Sequence, residues 1–286
     1  MLKLGRRAFP DTQLLVMAIV NRTRDSFYDQ GATFAEDRAL DRVRQVVAQG
    51  AEIVDIGGVK AGPGEEVDAA EEIRRTAPFV AAVRAEHPDL VISVDTWRAD
   101  VARAVCEAGA DLLNDAWGGH DPGLAEVAAE FDAALVCAHA GGLAPRTPPH
   151  RQEYADVVVS AAQAVVDLAE RAVAAGVDPA GVLIDPAHDF AKNTWQSLEL
   201  TRRLDELVAT GWPVLVSLSN KDFVGETLDL PVGERVTGTL AATAVSAWHG
   251  ARVFRAHQVA ETRQVLDMVS SIRGTREPAR VVRGLA

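Results

Sequence analysis

Eight apolar runs recur along this 286-residue chain, and each ends in, or carries near its end, a polar residue able to hold a ligand. MAIV ends at Asn21, EIVDIGG carries Asp55, VISVD ends at Asp95 and DLLND carries Asn114. LVCAH ends at His139, VLIDP carries Asp185, VLVSLSNK reaches Lys221, and VFRAH closes on Arg255 and His257. One polar residue closing a buried strand constrains nothing. Eight in succession, each followed by a helical pattern, describe one rim carrying a ring of ligands.

The runs predict strands at about 14–20, 51–57, 90–95, 111–115, 133–139, 182–186, 213–219 and 251–257. They are near-continuous rather than alternating, as strands covered on both faces should be. Helical patterns lie between them. Thr33 with Glu36 reads as a capping box before a helix carrying Leu40, Val43 and Val47, which Gly50 stops. A second helix is expected from about Gln152 to Ala175, before Gly176. The last helix places Val265, Met268, Val269 and Ile272 on one face, and Gly274 closes it. Strand–helix repeated eight times predicts a (β/α)8 TIM barrel, one domain over residues 1–286. The runner-up is a doubly wound open sheet, but no GxGxxG follows the first strand.

Charge narrows the partners. A formal net charge of −12 argues against nucleic acid, because phosphate neutralisation needs a basic face. It leaves open small anions, which need only a local positive pocket. Stretches such as AALVCA are too short to span a bilayer, so no membrane partner is expected. MLKLGRRAFPDTQ has arginines but no long apolar region behind them, so no signal peptide is read and a cytoplasmic location is expected. Cys106 and Cys137 lack metal-site spacing and read as buried structural thiols.

Three loops stand out on the rim: NRTRDSFYDQGATF after the first strand, GGVKAGPGEEV after the second, and GGLAPRTPPH after His139. All are polar and bear Gly or Pro, and loops on that rim carry function more often than loops elsewhere.

Eight stretches, in this order, resemble dihydropteroate synthase, the pterin-binding barrel of folate synthesis. They are MAIVNRTRDSF, GAEIVDIGG with PG after it, SVDTWRADVA, LNDAWGG, LIDPAHDFAK, LSNKDFVGE, GTLAAT and RAH, and they span nearly the whole chain. The family joins 6-hydroxymethyl-7,8-dihydropterin pyrophosphate to p-aminobenzoate and releases pyrophosphate. The resemblance implies a pterin pocket at Asp95, Asn114, Asp185 and Lys221. Carboxylates and an amide suit a heterocycle edge bearing both donors and acceptors, since an unpaired buried group costs about 1–3 kcal/mol. Taken singly, each of these residues also fits a strand-end cap or a structural ion pair. A pyrophosphate site is implied at Asn21, Arg255 and His257, with Asn21 ligating Mg²⁺. Arg255 and His257 lie two apart on a strand, so both point to one face. His257 alone also fits a buried core histidine. Lys221, Arg255 and His257 are the candidate catalytic residues, and a homodimer is implied by the resemblance alone.

The acceptor half departs from the family pattern. Phe190 and Lys192 remain, but Lys60, Ala61 and Gly62 stand where a Ser-Thr-Arg run precedes the Pro-Gly of Pro63 and Gly64. A Ser-Arg-Lys-Ser run appears as Ser219, Asn220, Lys221 and Asp222, and the Gly-rich turn after Asp185 becomes Ala187, His188 and Asp189. The expected acceptor pocket therefore comprises Phe190, Lys60 and Asp222. Asp222 would oppose an acceptor carboxylate by about 4 kcal/mol at about 4 Å in a dielectric near 20. It reads equally as a helix cap. Arg22 and Arg24 in the first loop either strengthen anion binding or are solvated. The expected function is a dihydropteroate synthase-like transferase; the alternatives are a pterin-binding paralogue with little turnover and a transferase using another amine acceptor.

Overall fold

Alternation along eight parallel strands shapes the molecule. The computed structural model describes every residue except 23–35, 61, 63, 65, 148–151 and 284–286. The wall strands are β3 (Leu15–Asn21), β4 (Ile53–Gly57), β5 (Val91–Asp95), β6 (Leu112–Asp115), β7 (Ala134–Ala138), β8 (Val182–Asp185), β9 (Leu215–Ser217) and β10 (Val253–Ala256). A short antiparallel pair, β1 (Leu2–Leu4) and β2 (Arg7–Phe9), precedes them. Each of the eight sequence-derived strands is present within a few residues of its expected bounds.

The wall runs β8-β7-β6-β5-β4-β3-β10-β9, all parallel. A single parallel bridge, Ile184 to Val214, joins its two ends, with Ile184 N–H donating to Pro213 O at 3.0 Å. The sheet therefore closes into a (β/α)8 barrel, with strand backbones forming the ring and helices around it. The helices are α1 (Glu36–Ala48), α2 (Ala69–Glu86), α3 (Ala99–Glu107), α4 (Gly123–Glu130), α5 (Val157–Ala174), α6 (Thr194–Arg202), α7 (Leu204–Val208), α8 (Asp222–Leu228), α9 (Val236–His249) and α10 (Val259–Ile272).

Period-2 alternation sorts the strand side chains into two sets. Val16, Val54, Ile92, Leu113, Cys137, Ile184, Val216 and Phe254 face outward and pack under the helices. Leu15, Met17, Ile53, Val91, Leu112, Val136, Leu183, Leu215 and Val253 fill the barrel interior. The same inner core contains Leu2, Leu4 and Phe9, so the β1–β2 pair plugs the N-terminal end of the barrel. Two positions further along six of the eight strands, the inward residue turns polar: Ile53 leads to Asp55, Val91 to Ser93, Leu112 to Asn114, Leu183 to Asp185, Leu215 to Ser217 and Val253 to Arg255. The apolar floor thus ends in a polar layer at the C-terminal rim.

Two local expectations change. α5 starts at Val157 rather than near Gln152, because the Asp156 carboxylate accepts from Val158 N and Val159 N and fixes the first turn there. On α10 the face against the barrel is Val259, Thr262, Leu266 and Val269. Met268 and Ile272 are about 60% exposed instead, at 62% and 60%. A helix pattern containing apolar residues on more than one side does not say which side meets the core. Thr33, and with it the capping box, lies outside the described residues.

Candidate functional site

The rim encloses a cavity of roughly 300 Å³. Asn21, Asp95, Asn114, Asp185, Lys221, Arg255 and His257 all line it, as do Lys60, Phe190 and Asp222. Every described residue expected at the pterin, pyrophosphate and acceptor positions therefore meets one cavity. Two of the eight strand-end groups do not line it. His139 is buried beside Tyr154, ring centroids 5.7 Å apart, and Asp55 lies beneath the cavity with no exposed surface.

Asp55 organises the residues above it. Its carboxylate accepts from Ser93 Oγ at 2.6 Å, Asn114 Nδ2 at 3.2 Å and Arg255 Nε at 2.6 Å. Arg255 Nη2 also donates to Asp95 Oδ2 at 3.2 Å. The guanidinium is thus clamped between two carboxylates. Burial works against its charge, yet Asp55 and Asp95 raise its pKa. Burial pushes Asp95 up to about 7, with Arg255 pulling the other way. Asp185 also rises through burial, opposed by the Ala187 N–H donated at 2.7 Å and by Lys221.

Lys221 lies at the start of α8 with Nζ 4.4 Å from the centroid of the Phe190 ring, a cation–π contact. Burial lowers its pKa, and Asp189 and Asp185 resist the loss of charge. Trp117 stands edge-on to Phe190 at 5.3 Å, and the two give this side of the cavity an aromatic wall that Trp97 backs, edge-on to Trp117 at 6.4 Å. His257 Nδ1 is 2.9 Å from Ser219 Oγ, and its backbone oxygen accepts from Arg42 at 2.6 Å. Burial, then the cations Arg255, Arg42 and Lys221, lower its pKa to about 3, so its imidazole is neutral near pH 7.

The departures at the acceptor end have partners that the sequence did not suggest. Asp222 Oδ1 accepts from Arg235 Nη1 at 2.8 Å, while Arg235 also donates to the backbone oxygens of Asn220, Lys221 and Leu230. That pairing offsets part of the carboxylate's repulsion. It also explains Gly225, where a Cβ would lie 2.3 Å from the Arg235 guanidinium carbon. Asp189 Oδ1 accepts from Ser197 Oγ at 3.0 Å and Oδ2 from Phe223 N at 3.2 Å. Burial raises the Asp189 pKa and Lys221 opposes it. Arg22 is neither solvated nor lining the cavity: it is buried, its guanidinium 4.8 Å over the Phe79 ring. Arg24, Ala61 and Pro63 lie outside the described residues. Arg146 Nε donates to Gly62 O at 3.3 Å, so the loop after His139 meets the loop after β4.

Sequence reasoning put Asp55 in the ring of rim ligands rather than beneath them, and gave Ser93, Ser219, Asp189 and Arg235 no working part in the site. Strand alternation could have found Ser93, since it follows inward Val91 as Asp55 follows inward Ile53. Arg235 lies 13 residues beyond Asp222 and gives no such signal.

The layout of carboxylates, amide and lysine in one cavity agrees with the sequence comparison, in which residues 17–257 match the pterin binding enzyme family. The chain belongs to that family. Among its relatives, a Mycobacterium tuberculosis protein named inactive dihydropteroate synthase 2 is 60% identical over 276 residues, covering 95% of this chain and 87% of that protein. A dihydropteroate synthase of Streptococcus pyogenes is 36% identical over 261 residues, covering 90% of this chain and 95% of its own length. The fold matches Yersinia pestis dihydropteroate synthase, solved with a sulfonamide drug complex. The TM-score is 0.90 at 33% identity, covering 96% of this chain and 100% of that one.

Proposed function

We propose that this chain is a dihydropteroate synthase paralogue that binds a pterin and condenses it with p-aminobenzoate weakly or not at all. The observation that carries the reading is the rim cavity, where Asp95, Asn114, Asp185 and Lys221 converge above the Asp55–Arg255 clamp. A pterin edge carries ring N–H and amine donors beside ring acceptors. Two carboxylates, an amide and an ammonium can pair that edge, and the aromatic wall can flank the flat ring system. The word inactive in the names of relatives at 60% and 59% identity supports the low-turnover half of the reading, as does Asp222 at the acceptor end.

On the pyrophosphate side, Asn21 at the end of β3 offers a hard side-chain oxygen beside Arg255 and His257. Among the described residues no group of three or more His, Cys, Asp or Glu could hold a metal. That donor set fits Mg²⁺ held mainly by phosphate oxygens and water, with Asn21 as a protein ligand. When bound, the ion would offset charge on the leaving pyrophosphate. Neutral His257 could donate to or accept from the same group, while Lys221 would hold the pterin ring. A second copy of the chain would dock on α9 and α10, whose outer faces expose Val245, Trp248, Met268 and Ile272. Among the described residues no helix is long and apolar enough to cross a membrane. A cytoplasmic setting is part of the proposal.

The test pairs two measurements on one preparation. Calorimetric titration with 6-hydroxymethyl-7,8-dihydropterin pyrophosphate and Mg²⁺ should show binding that Asp185→Asn weakens. Pyrophosphate release should increase slightly or not at all when p-aminobenzoate is added. Absence of pterin binding overturns the pterin half, and rapid p-aminobenzoate-dependent release over many turnovers overturns the low-turnover half.

A further inference from the structure

We propose that Asp189 and Asp222 make the acceptor end of the cavity selective for an aromatic amine whose far end is neutral or cationic, and adverse to an aryl carboxylate. The inference rests on the pterin reading above and gives the missing acceptor a chemical class. Both carboxylates line the cavity, each next in sequence to a member of the Phe190–Lys221 pair. Arg235, which partners Asp222, does not line it. It is buried behind α8 and held by three backbone oxygens as well as by Asp222. The ion pair therefore turns its negative end to the cavity, where the Asp222 side chain is 61% exposed.

Asp189 acts by another route. A ligand carboxylate entering here would look for a backbone N–H and for the Lys221 ammonium. Asp189 already accepts from Phe223 N, and its charge is the strongest of those bearing on Lys221. The carboxylates Asp95, Asp185, Asp189 and Asp222 face the cations Lys60, Lys221 and Arg255 around the cavity, and Arg255 is committed to Asp55 and Asp95. A further anion adds to the majority charge; a cation or a neutral amide does not.

The experiment loads the whole protein with 6-hydroxymethylpterin and titrates p-aminobenzoate, p-aminobenzamide and p-aminobenzamidine by calorimetry. The amidine should bind about tenfold or more tighter than the carboxylate. The isosteric Asp189→Asn/Asp222→Asn double variant, checked by thermal melt, should erase that preference. Equal or reversed affinities in the parent chain, no binding of any of the three arenes, or a preference unchanged in the double variant each overturn the inference. The pterin titration of the same samples is read separately. Pterin binding without the preference defeats this inference alone, and loss of pterin binding defeats the reading beneath it.

Discussion

Asp55 touches no cavity, yet Asn114 and Arg255 point where they do because of it. A buried carboxylate with three donors is a positioning residue. Asp95, one shell further out, behaves differently. Burial holds it near 7, so its charge changes within the physiological range. A ligand edge that donates to Asp95 needs the carboxylate. Affinity for 6-hydroxymethylpterin should therefore fall as pH drops below 7, by at most about tenfold per pH unit for one linked proton. Calorimetry between pH 8 and pH 5.5 reads this, and Asp95→Asn should flatten the profile. Stability of the ligand-free chain takes the opposite sign. A raised carboxyl pKa contributes stability in full below its unfolded value, and that contribution is lost as pH rises through about 7. The positions of Asn21, Asp95, Asn114, Asp185, Lys221, Arg255 and His257 were legible in the sequence because strand ends of a barrel all meet one rim. The hydrogen bonds among them were not, since those depend on which rim neighbours face each other across the barrel.

The segment between β8 and α6 is where element geometry and site meet. Ala187, Asp189 and Ala191 all have positive φ, at 51°, 66° and 53°. The left-handed region costs a non-glycine residue about 1–2 kcal/mol, so this segment stores strain. Lys192 offsets it: its ammonium donates to the backbone oxygens of His139, Ala187 and Phe190 at 3.0, 3.1 and 2.8 Å. Burial lowers that ammonium to about 7, opposed by Asp185. Ala187→Gly should relieve strain and stabilise the chain by up to about 1 kcal/mol, less the entropy glycine loses on folding. A melting temperature raised by about 2 °C is expected, and a lowered one would count against stored strain. The sequence marks this segment as altered through Ala187, His188 and Asp189, but left-handed backbone at such residues has no pattern to announce it. Element existence was legible throughout the wall because long apolar runs allow few other structures. The facing of α10 was not, since its apolar residues occur on both sides and tertiary packing chose between them.

At the scale of the whole molecule, the β1–β2 pair is the feature that sequence reading passed over. Its signal is short: Leu2 and Leu4 alternate before Gly5, whose φ of 53° makes the tight turn. Three-residue strands fall below any useful period, and only the open end of a barrel makes such a pair necessary. The exposed face of α9 and α10 supplies the prediction at this scale. Trp248 is 57% exposed and Val245 44%, beside Met268 and Ile272. If a second copy covers them, Trp248→Glu should convert a dimer to a monomer in sedimentation velocity while the melting curve of the monomeric fold survives. A monomeric parent chain would dismiss the interface. The single bridge between Ile184 and Val214 has its own consequence. A ring fastened at one link has a clasp, and β8 and β9 are the strands on either side of it. The segments leaving those strands carry Asp189 and Asp222, and Asp189 reaches across to Phe223 N. A side chain thus adds to the fastening that the backbone ladder largely omits, and one of the two residues that would choose an acceptor, Asp189, also latches the barrel. Changing what this protein accepts and loosening its hoop are then, in part, the same act.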